Sequence, residues 1–306
     1  MHLPAITDQQ ILAARPPKNR VSPLQPYAFL NETEYVTAEQ TAEISTIFLT
    51  NRECPFRCLM CDLWKNTLDE SLKPGQIIEQ IRYALENLPP ARQIKLNNSG
   101  NFFDAKAILP EDLSGIAALV KNHDRVIVEN HPLLCNQACI DFQQQLTGQL
   151  EIALGLETIH PQILTALNKR MSLDDFDRAT DFLLEHGIQT RAFILLKPPF
   201  LKEQEGIDWA IRSVEYAFSR GVSCCSIIPT RPGNGMLEQL EQIGHYSLPT
   251  FSSIETTLET CLKLNRGRVF MDLWDLDQLY QNQPELQQRL ARLQKMNLTQ
   301  SIPDHA

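Results

Sequence analysis

The sequence predicts an α/β fold: a partial (β/α)6 parallel barrel with N- and C-terminal extensions. Three observations predict it. From about residue 45 onward, short β-rich runs alternate with longer segments whose apolar residues recur every three or four positions. The short runs are almost continuously apolar, as parallel strands covered on both faces must be. At 306 residues the chain is long enough for one large barrel or two ordinary domains.

The elements follow in order. Residues 1–43 are rich in Pro and polar residues and read as an extended or loosely helical lead-in that wraps a core formed elsewhere. The first strand is STIFLT (45–50), followed by a helix over 74–88. QIKLN (93–97) and RVIVEN (125–130) are the next strands, each trailed by a helix, over 110–122 and 136–146. LEIALGLE (150–157) precedes helical patterns at 160–169 and 172–187, the latter ending at the helix stop EHG. TRAFILLK (190–197), a helix over 203–220, SCCSIIP (223–229), a helix over 252–264 and a late strand RVFMDLW (268–274) complete the pattern. Right-handed β–α repeats of this number close a barrel or most of one. We therefore expect an extension over 1–43, a core barrel over 44–235 and a C-terminal extension over 236–306 that packs on it.

Bulk properties narrow the class. The composition, 43% hydrophobic and 21% charged, is that of a globular protein without a disordered excess of Gly or Pro. No apolar run approaches bilayer length, so no membrane association is expected. The N-terminus MHLPAITDQQ lacks a basic region followed by an apolar core, so a cytoplasmic, reducing location is expected. There, eight cysteines point to metal binding or catalysis before disulfides. The net charge of −9 argues against a surface that coats nucleic acid, although small basic groups such as ARPPKNR and NRGR occur.

Active sites of such barrels lie at the C-terminal ends of the strands. Cys54, Cys58 and Cys61 directly follow the first strand. Asn98, Ser99 and Gly100 follow the second, Glu129 and His131 end the third, and Glu157 ends the fourth. Lys197 ends the fifth, and PTRPGNG (229–235), with Arg231 and Asn234, follows the sixth. The polar residues converge on one rim. Thiolates choose iron–sulfur clusters, zinc or copper(I). A structural zinc site normally closes with four protein ligands, and the sequence has no second Cys-x-x-Cys pair. Three thiolates on a [4Fe–4S] cluster would leave one iron open, as catalytic metal sites do. A zinc-binding structural or interaction protein is the alternative of another class.

Cys54-x3-Cys58-x2-Cys61 behind the first barrel strand resembles the signature of the radical S-adenosylmethionine (SAM) enzymes. The resemblance spans roughly residues 44–235 and implies a partial (β/α)6 TIM-like radical SAM barrel. It also implies a [4Fe–4S] cluster, SAM bound through its amine and carboxylate to the fourth iron, and an electron donor of flavodoxin or ferredoxin type. Reduction would then yield a 5′-deoxyadenosyl radical that abstracts hydrogen from a substrate. One departure is Met60, where an aromatic residue usually precedes the last cysteine. By the same resemblance, Asn98, Ser99 and Gly100 stand where a Gly-rich turn supports the SAM amine. Glu129, Glu157 and Lys169 stand where SAM is contacted further, Lys169 within Asn168-Lys169-Arg170 at the place that meets the SAM carboxylate. Lys197, Arg231 and Asn234 are expected to hold an anionic or heterocyclic substrate.

RECPFRCLMCDLWKNT, KLNNSGNFFD, ENHP, GLETIHPQILTALNKRM, LLKPPF and PTRPGNG together are similar to the radical SAM subunit of archaeosine biosynthesis. They are more distantly similar to elongator-type and methylthiotransferase-type tRNA-modifying enzymes. That narrower likeness implies a lyase-type step on a lysine-bearing 7-deazaguanine in tRNA, with a partner enzyme that attaches the lysine. A small molecule or a protein is the alternative substrate. His131, Cys135 and Cys139, spaced by four, offer an auxiliary metal site or simply a small buried patch; Cys224, Cys225 and Cys261 read as structural. MDLWDL (271–276) repeats the DLW of residues 62–64 without an evident chemical reason.

Overall fold

The computed structural model describes residues 3–303. In chain order its regular elements are α1 (Asp8–Ala14), β1 (Ala28–Thr37), β2 (Gln40–Phe48), α2 (Gln76–Asn87), β3 (Gln93–Asn97), α3 (Leu113–Val120) and β4 (Arg125–Asn130). There follow α4 (Gln137–Gln143), β5 (Gln149–Glu157), α5 (Pro161–Ala166), α6 (Leu173–Glu185), β6 (Gln189–Leu196) and α7 (Glu203–Ser219). The last are β7 (Cys224–Pro229), α8 (Met236–Gln242), α9 (Phe251–Lys263), β8 (Arg268–Met271), α10 (Leu276–Leu279) and α11 (Leu286–Thr299).

One sheet contains all eight strands in chain order. β2 through β8 are parallel, and β1 pairs antiparallel with β2 from Ala28↔Phe48 to Thr37↔Gln40. The seven parallel strands are those expected, with ends shifted by a few residues. β1 is the departure: the region read as a lead-in contributes a ten-residue strand. Its sequence, AFLNETEYVT, carries Glu32 and Glu34, which look like surface residues but receive cations from the barrel interior.

The barrel is partial for a physical reason. The free edge of β8 is bound by side chains of α11 and its C-cap residue instead of by β1. Asn297 accepts from the Met271 amide (2.9 Å) and donates to its carbonyl (2.8 Å), and Gln300 does the same at Val269, both at 2.7 Å. Two amide side chains thus satisfy an edge that would otherwise offer itself to another strand. Outside the sheet, strand residues such as Ile94, Leu96, Val126, Ile152 and Ile194 pack fully buried against apolar faces of the helices, forming one continuous core. α6 illustrates how the sequence starts these helices: Ser172 and Asp175 form a reciprocal capping box, and Phe176, Ala179 and Leu183 face the core. Among the described residues no helix is long and apolar enough to cross a membrane.

Candidate active site

The three-cysteine loop leaves β2 and crosses the C-terminal mouth of the barrel. It is clamped from several sides. The Leu59 amide donates to the Leu167 carbonyl (2.8 Å), and Asn168 donates to the Arg57 carbonyl (2.7 Å) and to Asp8 of α1 (2.8 Å). Asn234 donates to the Leu59 carbonyl (2.6 Å) while its side-chain oxygen accepts from the Leu237 amide (2.9 Å). Leu59 itself is buried with Ile11, Met236, Leu237 and Leu240, so α1 and α8 roof the loop. Phe56 stacks on His131 with ring centres 3.8 Å apart. His131 accepts from the Leu133 amide (3.2 Å), which leaves its other nitrogen as the donor to the Lys169 carbonyl (3.1 Å). Burial and the Lys169 charge push this imidazole down to about 4, keeping it neutral. With both nitrogens engaged, His131 braces the loop and has no lone pair for an auxiliary metal.

The thiols feel one another and one cation. Burial raises all three, Cys58 to about 11, and mutual repulsion adds to the rise at Cys58 and Cys61. The Lys169 ammonium opposes this at Cys54 and Cys58. Asn101 donates to the Cys54 sulfur at 3.2 Å, a contact that favours thiolate. Among the described residues no three His, Cys, Asp or Glu side chains gather tightly enough to ring a single metal ion. A cluster asks for something looser, because each thiolate takes a different iron.

Lys169 Nζ lies 2.5 Å from Glu157 Oε1, both largely buried. A Cβ on Gly155 would meet that ammonium at 2.1 Å and the Glu157 oxygen at 2.4 Å. Only glycine lets this ion pair lie across β5. Ser99, Glu157, Asn168, Arg170 and Lys197 all hold positive φ between 51° and 63°. These are uncommon for non-glycine residues, and strain of this kind concentrates where a site is shaped.

Asn98 is fully buried, yet neither its side-chain oxygen nor its nitrogen has a hydrogen-bond partner among the described residues. Such a group is costly unless something satisfies it. Beside it, burial pushes Glu129 up to about 7, against a backbone N–H donated by Asn98. Tyr27 reaches Ser99 across 3.1 Å, a contact no sequence pattern announced. These features fit a ligand that presents an ammonium, a carboxylate and polar edges to Asn98, Glu129 and Lys169.

The residues expected to hold substrate have different surroundings. Lys197 Nζ is engaged by Glu203 (2.5 Å), Ser247 (2.8 Å) and the Leu248 carbonyl (2.9 Å), so its three donors are committed within the protein. Arg231 binds Asp272 (2.5 Å) and the Trp274 carbonyl. Asn234, as described, ties the cysteine loop to α8. In this structure all three side chains tie neighbouring loops together. Cys139, Cys224, Cys225 and Cys261 are buried, as structural cysteines are. A cleft of about 350 Å3 opens beside the loop, lined by Arg52, Glu53, Pro55, Arg57, Asp69, Asp104 and Lys106.

Solved structures share this architecture. A radical SAM methyltransferase from Sphaerobacter thermophilus superposes with a TM-score of 0.53 at 15% identity, covering 82% of this chain and 77% of that one. Methylornithine synthase gives 0.50 at 13%, covering 84% and 82%. The chain has the radical SAM fold. In sequence, it is 27% identical over 248 residues to archaeosine synthase subunit beta of Methanosarcina acetivorans, covering 75% of this chain and 70% of the relative. It is 26% identical over 242 residues to an uncharacterized protein of Methanocaldococcus jannaschii, covering 74% and 66%. No family model matches the chain. On the radical SAM fold, the cysteine loop and the polar rim occupy the C-terminal mouth, where barrel enzymes carry their chemistry.

Proposed function

We propose that the chain is a radical SAM enzyme in which Cys54, Cys58 and Cys61 hold a [4Fe–4S] cluster and SAM completes the fourth iron. When bound and reduced by an external electron donor, the cluster would pass one electron to SAM, so that the chemistry supplied is release of methionine and a 5′-deoxyadenosyl radical that takes hydrogen from substrate. The observation that carries the reading is the buried, unpartnered Asn98 amide beside a three-cysteine loop on the C-terminal rim. Asn98 and the Ser99 turn would receive the SAM amine, with Glu129 beside Asn98. Lys169 would meet the SAM carboxylate, steered by Glu157. Asn101 favours the thiolate form of Cys54. α1 and α8 keep water from the far side of the loop.

The finer reading is a lyase-type step on a 7-deazaguanine-like base in tRNA, with a base-modifying partner enzyme and a flavodoxin- or ferredoxin-type electron donor. It rests on the sequence likeness to archaeosine synthase subunit beta. The test is anaerobic reconstitution with iron and sulfide, followed by reduction in the presence of SAM. We expect a brown protein with labile sulfide that releases 5′-deoxyadenosine, and salt-dependent tRNA binding. Zinc without sulfide, or a loaded cluster that never yields the nucleoside, would refute the enzymatic reading. Failure to bind tRNA would shift the substrate to a small molecule or protein.

A further inference from the structure

The seam between β8 and the β1–β2 pair is sealed in its lower part and differently built at its top. Below, Arg268 meets Glu34 at 3.4 Å and α11 covers the β8 edge. Above, an aromatic series runs along the mouth. Tyr27, which touches Ser99, lies 5.6 Å from Phe48, and Phe48 lies 5.9 Å from Trp274, ring centre to ring centre. Trp274 is the outermost member and is 54% exposed. Of the three tryptophans, Trp64 is buried and Trp209 half-buried.

An exposed indole on a loose loop would mean little, but this loop is held. Asp272 accepts from the Trp274 amide (2.9 Å) and from Arg231 (2.5 Å), and Arg231 also donates to the Trp274 carbonyl. The next residue, Asp275, sits at φ 59°, a conformation that tethered surroundings must sustain. Arg231 belongs to the same loop as Asn234, which grips the cysteine loop at Leu59. The backbone that carries the indole is therefore fixed relative to the mouth, the ring touches Phe48 on one side, and much of its surface stays unpacked. Rigid aromatic faces of this kind bind planar rings by stacking, with little entropic cost on capture.

We propose that Trp274 is a specificity-determining residue: a stacking platform at the top of the β8–β1 seam that receives the planar heterocyclic base of the substrate as it enters the barrel mouth. This rests on the nucleobase reading of the function. Arg231 and Asp272 are its positioning residues, holding the loop without touching the base.

The test is equilibrium dialysis of the reconstituted protein against 7-deazaguanosine, with tryptophan fluorescence followed in parallel. The wild type should bind the nucleoside and lose indole emission. Trp274→Ala should weaken binding by about tenfold or more, and Trp274→Phe should keep most of it. Iron content and melting temperature read out folding; if Trp274→Ala falls short on either, Trp274→Phe and Trp274→Leu, of similar bulk, carry the comparison between ring and no ring. Equal binding by Phe, Leu and wild type overturns the proposal, as does a wild type with no response to the nucleoside. A wild type that binds the nucleoside but forms no 5′-deoxyadenosine from SAM would instead fail the catalytic reading, leaving the platform in place.

Discussion

The two ends of the barrel interior handle polar groups in opposite ways. At the N-terminal end, Glu34 pairs with Arg191 (2.5 Å) and Lys95 (2.7 Å), and Glu151 pairs with Arg191 (2.6 Å) and Arg268 (2.7 Å). Arg125 adds a charge contact to Glu151 at 3.3 Å, too poorly aligned to be a hydrogen bond. Each carboxylate is buried and answered by more than one cation. At the C-terminal end, the Asn98 side chain has no partner among the described residues, Glu129 has one backbone N–H, from Asn98, and three thiols crowd together. A protein can afford unanswered polar groups only where something else answers them. At the N-terminal end the buried carboxylates are paired within the chain, although Gln93 Oε1, Arg125 Nη1 and Thr190 Oγ1 there also lack hydrogen-bond partners among the described residues; at the mouth a whole side-chain amide is unanswered.

The largest effect expected from this contrast is at the mouth. Cys58→Ala should abolish cluster loading and 5′-deoxyadenosine release while changing the stability of the metal-free protein little, since a half-buried thiol is replaced by a small apolar group. Iron analysis with thermal melting checks both halves. At the closed end the pattern should invert. Glu151→Gln leaves Arg191 and Arg268 short of a counter-charge and should cost about 3–5 kcal/mol of stability. The iron bound per folded molecule should not change. Urea denaturation curves would decide it, and a loss below about 1 kcal/mol would mean the network is solvated.

Acid should separate the ends as well. Glu151 is held down to about 2 by its arginines, and Glu34 is lowered too, against an ordinary value of 4.5. A carboxylate depressed in the folded state contributes stability above its unfolded pKa, and that contribution is lost as pH falls from 4.5 toward 2. Glu129 runs the other way: burial raises it from 4.5 to about 7, so its contribution is present below 4.5 and is lost as pH rises through 7. Glu129→Gln should therefore stabilise the cluster-free protein more at pH 8 than at pH 5, and Glu151→Gln should cost less at pH 3 than at pH 7. Denaturation of both variants across that range measures each difference.

How much of this was legible in the sequence follows from the same contrast. The seven parallel strands announce themselves because a strand buried on both faces must be apolar along its length. The rim residues follow from them, since the strand ends locate Asn98, Glu129 and Glu157. β1 stayed hidden because its inward side chains are Glu32 and Glu34, whose cations Lys95 and Arg191 lie far along the chain. Lys197 directly follows β6 and Asn234 lies in the loop between β7 and α8, as expected, but only coordinates show that Glu203, Ser247 and the Leu59 carbonyl already bind them. Tyr27, Asn101 and the Phe56–His131 stack depend on contacts between distant segments, which no local pattern encodes.

The smallest effect concerns two buried amides. Gln80 accepts from the Thr50 amide (2.8 Å) and donates to the Thr50 and Pro23 carbonyls (2.8 and 3.0 Å), so it resembles the paired carboxylates of the closed end in being answered within the chain. Asn98 is as deeply buried and has none of these. Gln80→Ala strands an N–H and two carbonyls and should cost about 1–3 kcal/mol. Asn98→Ala removes a group that was already unsatisfied, so the cluster-free protein should hold its stability or gain up to about 1 kcal/mol. SAM affinity should respond in the reverse order, falling roughly tenfold in Asn98→Ala, as loss of a hydrogen bond to a charged group predicts, and staying unchanged in Gln80→Ala. If Asn98→Ala proves as destabilising as Gln80→Ala and binds SAM normally, then its amide serves the fold, and the distinction between the paired and the unanswered end fails at its most specific point.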